Sequence, residues 1–258
     1  MNRRRYYWVA FSTLLVKEIL RFSRMWVQTV LPSVVSTALY FVIFGQLIGK
    51  RIGPMDGFAY LDFIAPGLVL MAVITNAYSN VASSFYLSKF SRYVEELLTA
   101  PVPNWVILTG FVAGGVARGL VVGIVMTLVA LVFTRFQIHS YGVTMLIFVL
   151  TAMLFALGGF INAVYANDFD DISIIPTFVL TPLTYLGGVF YSIELLPAFW
   201  QNLSLANPVL YMVNAFRFGL LGVSDIPVGV AFVIVLGFIA VLALYSLHLL
   251  HRGVGIKT

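Results

Sequence analysis

Six stretches of this chain run for twenty residues or more with hardly a charge: Val27 to Ile48, Phe63 to Leu87, Trp105 to Thr134, Gly142 to Ala166, Ile172 to Tyr191 and Pro227 to Leu250. Arg118, inside the third, is their one Lys, Arg, Asp or Glu. Roughly 20 apolar residues suffice for a helix to cross a hydrocarbon core. In hydrocarbon every backbone N–H and C=O must be satisfied within the protein, so runs of this length predict helices. The expected fold class is therefore an all-α integral membrane protein with six transmembrane helices, one transmembrane domain over 1–258 without a soluble domain. Composition agrees, because 61% of the 258 residues are hydrophobic and 10% charged, against roughly a quarter charged in a soluble domain. With no cysteine, disulfides, thiolate chemistry and cysteine-based metal sites are excluded.

The segment before the first span follows a different period. Trp8, Phe11, Leu15, Ile19, Phe22 and Trp26 recur at steps of three and four, one stripe of a helix. The opposite face carries Arg5, Lys17, Glu18, Arg21 and Arg24. Such a helix is expected to lie in the bilayer interface, its basic side toward headgroups or a partner. The interleaved charges leave no uninterrupted apolar core for a cleavable signal peptide.

Polarity inside the spans is sparse and specific. Asn76, Ser79, Asn80, Ser83 and Ser84 lie along the second span, and bonds to neighbouring helices are their ordinary use. Gly115, Gly119 and Gly123 mark a face of the third span where a helix can approach closely. Arg118, a turn inside that span's boundary, is expected to snorkel outward, the alternative being an arginine that lines a pore. Asn167, Asp168, Asp170 and Asp171 form an acidic turn that caps the following helix, since Asp favours helix N-termini. Between Ile193 and Gly222, Glu194, Pro197, Pro208 and Arg217 break the sequence into pieces too short to cross, rich in aromatics including Trp200 and Phe216. These are expected to be external re-entrant or interfacial helices.

Six spans put both termini on one side. That side would hold Arg3, Arg4, Arg5, Lys17, Arg21, Arg24, Lys89, Arg92, Arg118, Arg252 and Lys257, and the other Lys50, Arg51, Arg135 and Arg217. Eleven against four makes the first side cytoplasmic. The net charge of +5 is thus membrane orientation and implies no nucleic-acid partner.

No span carries a carboxylate of the kind that proton- and sodium-coupled carriers keep near the midplane. No Walker sequence, H-E-x-x-H, G-x-S-x-G or histidine–carboxylate cluster is present, so neither catalysis nor a metal is implied. The chain reads as no enzyme and as binding no cofactor of its own. Attention then falls on the cytoplasmic island Ser88 to Asn104, SKFSRYVEELLTAPVPN. On a helix, Phe90, Tyr93 or Val94, and Leu97 line one stripe, while Arg92 faces Glu95 and Glu96 at i+3 and i+4. Pro101 and Pro103 end it. Two readings fit: a short rigid lever held between two spans, or a solvated loop.

EELLTAPVP after the second span is similar to the coupling-helix region of type-2 ATP-binding-cassette (ABC) transporter permeases. DDISIIPTFVLTPLTYLGGVFYSIELLPAFWQNLSLANPVLYMVNAFRFGLLG resembles that family's fifth span and external hairpin. The resemblance covers essentially the whole chain. It implies an inner-membrane exporter built from two copies of this chain and two copies of a separate P-loop ATPase, which would hold the ATP and Mg. It further implies that Arg92, Glu95, Glu96, Leu97 and Pro101 contact the ATPase, flanked by Lys17, Glu18 and Arg21. Glu194, Pro197, Trp200, Asn207, Pro208 and Phe216 would belong to an external lid. Hydrophobic and hydroxyl-bearing spans suit lipids, glycans or amphiphilic drugs alike. An ATP-independent channel or carrier, and a structural membrane scaffold, are the competing readings.

Overall fold

A computed structural model describes residues 3–135 and 138–255 of the chain. Lys257, counted above as a cytoplasmic charge, lies outside them. The described residues are helical apart from turns and one isolated bridge, Met55 to Phe58.

Helix α4, Tyr60–Phe90, is the column of the structure. Its 31 residues extend about 46 Å, and 72% of its most apolar stretch is buried, against 11% for the last helix. It packs chiefly on α6, Asn104–Phe133, and α7, Tyr141–Tyr165. The close approach runs through the expected glycines. Gly115 meets Val81 and Ala156, Gly119 meets Ala77 and Ala152, and Gly123 meets Phe148 and Val73. A lipid tail is as apolar as leucine, so close van der Waals fit, more than burial, holds such helices together.

The first span is α2, Trp26–Tyr40, continued by π-helical turns over Phe41–Ile48 and a last turn, α3, Gly49–Ile52. Gly53, at φ +85°, ends it in the left-handed region that glycine enters without a Cβ penalty. A short helix α5, Tyr93–Thr99, links α4 to α6. Beyond α7 come α8, Phe169–Ile175, π-helical turns over Pro176–Leu180, and α9, Thr181–Leu186. Then follow a 3₁₀ turn at Ile193–Leu195, α10, Ala198–Leu205, α11, Pro208–Leu221, and α12, Val228–Arg252.

Five helices among the described residues are long and apolar enough to cross a membrane, one fewer than expected. The difference lies at Ile172 to Tyr191, where the helical run stops at Leu186 and is interrupted by π turns from Pro176. A proline inside a helix has no N–H to give and disturbs the preceding turn, and a π turn absorbs the mismatch. Thr181 donates its hydroxyl to the Pro176 carbonyl at 3.0 Å. The chain then reverses at Gly187 and Gly188, the latter at φ +70°.

Helix α1, Arg3–Arg24, differs more from expectation. It runs alongside the first half of α6 in the same direction: Tyr7 stands edge-on to Trp105, Leu14 lies over Gly110 and Glu18 over Gly114. Its buried residues are Leu14, Glu18 and Phe22, whereas Trp8 of the apolar stripe is exposed. Glu18, expected on the solvated face, is therefore turned inward. The missing side chain of Gly114 makes room for it.

Substitution Gly123→Leu is expected to lower the thermal unfolding temperature of the detergent-solubilised protein, because overpacking a filled contact costs about 1–3 kcal/mol. Gly142→Leu, where a Cβ meets nothing within 4 Å, should leave that temperature unchanged.

Candidate functional site

Ser84, Asn80 and Asn76 recur every four residues on α4 and so form one stripe. Each rung is taken by a different neighbour. Ser84 donates its hydroxyl to Glu18 at 2.6 Å. Arg21 donates to the backbone carbonyl of Asn80 at 2.9 Å and to its side-chain oxygen at 2.8 Å. It also reaches Ser83 at 3.5 Å and pairs with Glu18 at 3.2 Å. Asn76 donates its amide to Ser33 of α2 at 3.0 Å and accepts from Arg118 of α6 at 3.2 Å. Asn76 sits about 21 Å along α4 from the Phe90 end, so this ladder leads from α1 to half the column's length.

Arg118 does not snorkel. Its guanidinium turns inward onto Asn76, its Nε is buried without a partner, and among the described residues no carboxylate lies within ion-pair distance. Glu18–Arg21 is the sole ion pair among the described residues. Arg118 borders a cleft of about 430 Å³ whose walls are Tyr78, Ser79 and Ser83 of α4 and Phe169, Ile172, Ser173, Pro176 and Thr177 of the α8 run. Asparagine shields the cation within hydrogen-bond reach, which outward extension along α6 would forfeit.

The island between α4 and α6 is a helix, but a shorter one than its sequence suggested. Helix α4 ends at Phe90, and Arg92 takes a left-handed conformation (φ 58°) that redirects the chain before α5 begins at Tyr93. Arg92 consequently stands outside the helix and forms no ion pair with Glu95 or Glu96, correcting the i+3, i+4 facing expected above. Val94 is the buried anchor, Leu97 is half-buried, and Glu95, Glu96 and Pro101 are exposed. Helix α1 is tied to α5 by Lys17, whose Nζ lies 4.2 Å from the centre of the Tyr93 ring. Burial pushes the Lys17 ammonium below its ordinary pKa, with Glu18 acting the other way.

Neighbouring turns brace this end. Lys89 donates to the carbonyls of Val164 at 2.9 Å and Ala166 at 2.8 Å, closing the C-terminus of α7. The acidic turn caps α8 as expected. Asp168 accepts from the Asp171 backbone N–H at 2.9 Å, and the Asp171 carboxylate reaches back to the N–H of Asn167, one residue before the cap, at 2.9 Å.

At the opposite end the aromatic segment folds as short pieces. Asn207 caps α11 by accepting from the Val209 N–H at 3.0 Å, with Pro208 in the first turn. Its amide donates to the Leu183 carbonyl at 2.6 Å, tying α11 to α9. Glu194, Pro197 and Trp200 are exposed, whereas Phe216 is buried and stacks on Phe148 at 5.4 Å. Arg217, read from sequence as a break, is fully buried. It donates to the Gly188 carbonyl at 2.6 Å and the Phe63 carbonyl at 3.4 Å, and its guanidinium lies 3.8 Å from the centre of the Phe63 ring. Sequence reading missed Arg217 as an anchor. Its one signal was a lone cation in an otherwise apolar, proline-bounded helix.

These features define a multi-pass helical membrane protein with an inward polar ladder, a short exposed helix at one end and a broken hairpin at the other. The model of the ABC-2 type transporter family matches residues 9–221, and the chain belongs to that family. It is 57% identical over 252 residues to the inner membrane transport permease YadH of Escherichia coli strain K12, covering 98% of each chain. It is also 23% identical over 209 residues to nodulation protein J of Rhizobium leguminosarum bv. viciae, covering 80% of each.

Replacing Arg21 by Met strands the buried Glu18 carboxylate, and removing one partner of a buried pair costs about 3–5 kcal/mol. Denaturant unfolding in micelles should therefore show a clear loss for Arg21→Met, of which the double variant Glu18→Met/Arg21→Met recovers a large part.

Proposed function

We propose that this chain is the membrane-spanning subunit of an ABC exporter that moves a lipid, glycan or amphiphilic drug outward across the bacterial inner membrane. Two copies of the chain, each a single transmembrane domain over 1–258, work with two copies of a P-loop ATPase that binds ATP and Mg. The observation that carries this reading is α5: a short helix with two exposed carboxylates, Glu95 and Glu96, held between α4 and α6. Family membership supports an ATPase partner, and the resemblance to an inner membrane transport permease supports the location.

In this reading Arg92, Glu95, Glu96, Leu97 and Pro101 meet the ATPase, and Lys17 flanks them through Tyr93. Glu18 and Arg21 contribute from behind, fastening α1 to α4 so that displacement of α5 is delivered to the ladder. The run 169–186 serves as the fifth of six spans, its 18 residues extending about 27 Å. With Arg118 and Arg217 set aside as charges held within the bundle, ten flanking Lys and Arg against three still support cytoplasmic termini, which leaves Glu194, Pro197, Trp200, Asn207, Pro208 and Phe216 in an external lid.

The test is charge reversal at α5. In proteoliposomes holding the permease and its ATPase, Glu96→Arg should assemble normally yet lose most substrate-stimulated ATP hydrolysis. Unaltered stimulation would remove α5 from the contact. Solute movement by the purified permease without any ATPase would overturn the exporter reading in favour of a channel or carrier.

A further inference from the structure

We propose that the cleft between α4, α6 and the α8 run is a binding site for the anionic, phosphate-class head of a membrane amphiphile, with Arg118 as its recognition residue. An arginine within a span costs about 2.5–3.5 kcal/mol on insertion scales at the centre of the bilayer, and such residues mark functional positions. Here, among the described residues, the charge has no carboxylate to meet. Asn76 supplies one neutral acceptor at 3.2 Å, and Nε is buried with no partner. Arg21 next to it spends its ion pair on Glu18, so the region with two guanidinium groups and one carboxylate keeps an uncompensated positive charge.

The cleft's walls suit the same ligand. The roughly 430 Å³ is lined by Tyr78 and Ser79, whose hydroxyls donate to no carbonyl among the described residues. Ser83, Ser173 and Thr177 line it too, but they give their hydroxyl protons to backbone carbonyls of their own helical runs and add polar wall only. The Tyr78 hydroxyl is buried without a hydrogen-bond partner. Phosphate oxygens accept from guanidinium and hydroxyl donors together, and arginine is the side chain matched to their fork geometry. The occupant's apolar portion has a continuation: Pro176 and Thr177 also border a second hollow, with Met71, Thr75, Leu180, Thr181 and Thr184, further along the same α4 and α8–α9 faces. An anionic head with an apolar or hydroxyl-bearing body fits both spaces, whereas a free anion would use only the first.

The proposal rests on the exporter reading for what happens after binding, but binding itself needs no ATPase. The test therefore uses the full permease chain alone in a neutral detergent, with displacement of fluorescent phosphatidic acid by unlabelled phosphatidic acid, phosphatidylcholine or inorganic phosphate. Wild type should prefer phosphatidic acid over phosphatidylcholine by at least tenfold, with inorganic phosphate a poor competitor. Arg118→Gln should lose that preference, while Arg118→Lys keeps part of it and Arg252→Gln, which alters an exposed cation at the end of α12, keeps all of it. Thr177→Trp fills the cleft from an exposed position and should abolish binding with Arg118 intact, so the outcome does not hang on the folding of one variant. An undiminished preference in Arg118→Gln and Thr177→Trp would overturn the site. Displacement by inorganic phosphate as effective as by phosphatidic acid would overturn the amphiphile and leave a small-anion site. Neither result bears on whether the assembled pair hydrolyses ATP for export.

Discussion

Hydrocarbon offers no partner to a stray amide, and α4 carries two asparagines and a run of serines through the middle of the bundle. Ser83 and Ser88 turn back to carbonyls of α4 itself, and Asn76, Asn80 and Ser84 look to other helices. Asn76 is answered by Ser33 and Arg118, the Asn80 side-chain oxygen by Arg21 while its amide nitrogen stays without a partner among the described residues, and Ser84 by Glu18. The rest of the arrangement depends on this. Apolar helix faces scarcely distinguish a neighbour from lipid, so bonds of about 0.6–2 kcal/mol each select which helices stand beside α4 and at what height. The glycine face of α6 then lets α4 and α7 approach closely enough for the packing to hold.

The same stripe joins the two ends of the functional reading. Helix α1 is fastened at Glu18 and Arg21 to α4, at Gly110 and Gly114 to α6, and at Lys17 to the Tyr93 ring of α5. It is thus a strut shared by the short exposed helix and the ladder. A push on α5 has a packed route to Asn76, half the length of the column away, without passing through a loop. The Lys89 and Asp168 caps keep the adjacent ends of α7 and α8 from fraying.

At the far end the problem is the reverse, because short helices must be held where the backbone is irregular. Arg217 satisfies the turn carbonyl of Gly188 and the Phe63 carbonyl of α4 while covering the Phe63 ring. Asn207 binds α11 to α9. Together they fix the hairpin to the column and leave Trp200 and Glu194 outward.

The helical, membrane-spanning kind of the long apolar runs, the island, the acidic cap and the glycine face were legible in the sequence, because hydropathy, breaker residues and small-residue spacing act locally. Five of the six spans, the capping by Asp168 and the short pieces after Ile193 stand in the structure as read. Periodicity could not say that Glu18 points inward, that Arg118 meets Asn76 instead of the interface, or that Arg217 is an anchor. A charged side chain has several routes to satisfaction, and only the neighbours brought by packing choose among them. Gly114 opened the space for Glu18, the Asn76 amide drew in Arg118, and the reversal at Gly188 presented its carbonyl to Arg217. By itself the sequence determined that this chain dissolves in lipid as helices. Which of its few charges became structure, and which remain free to meet a ligand or a partner, was decided by tertiary packing.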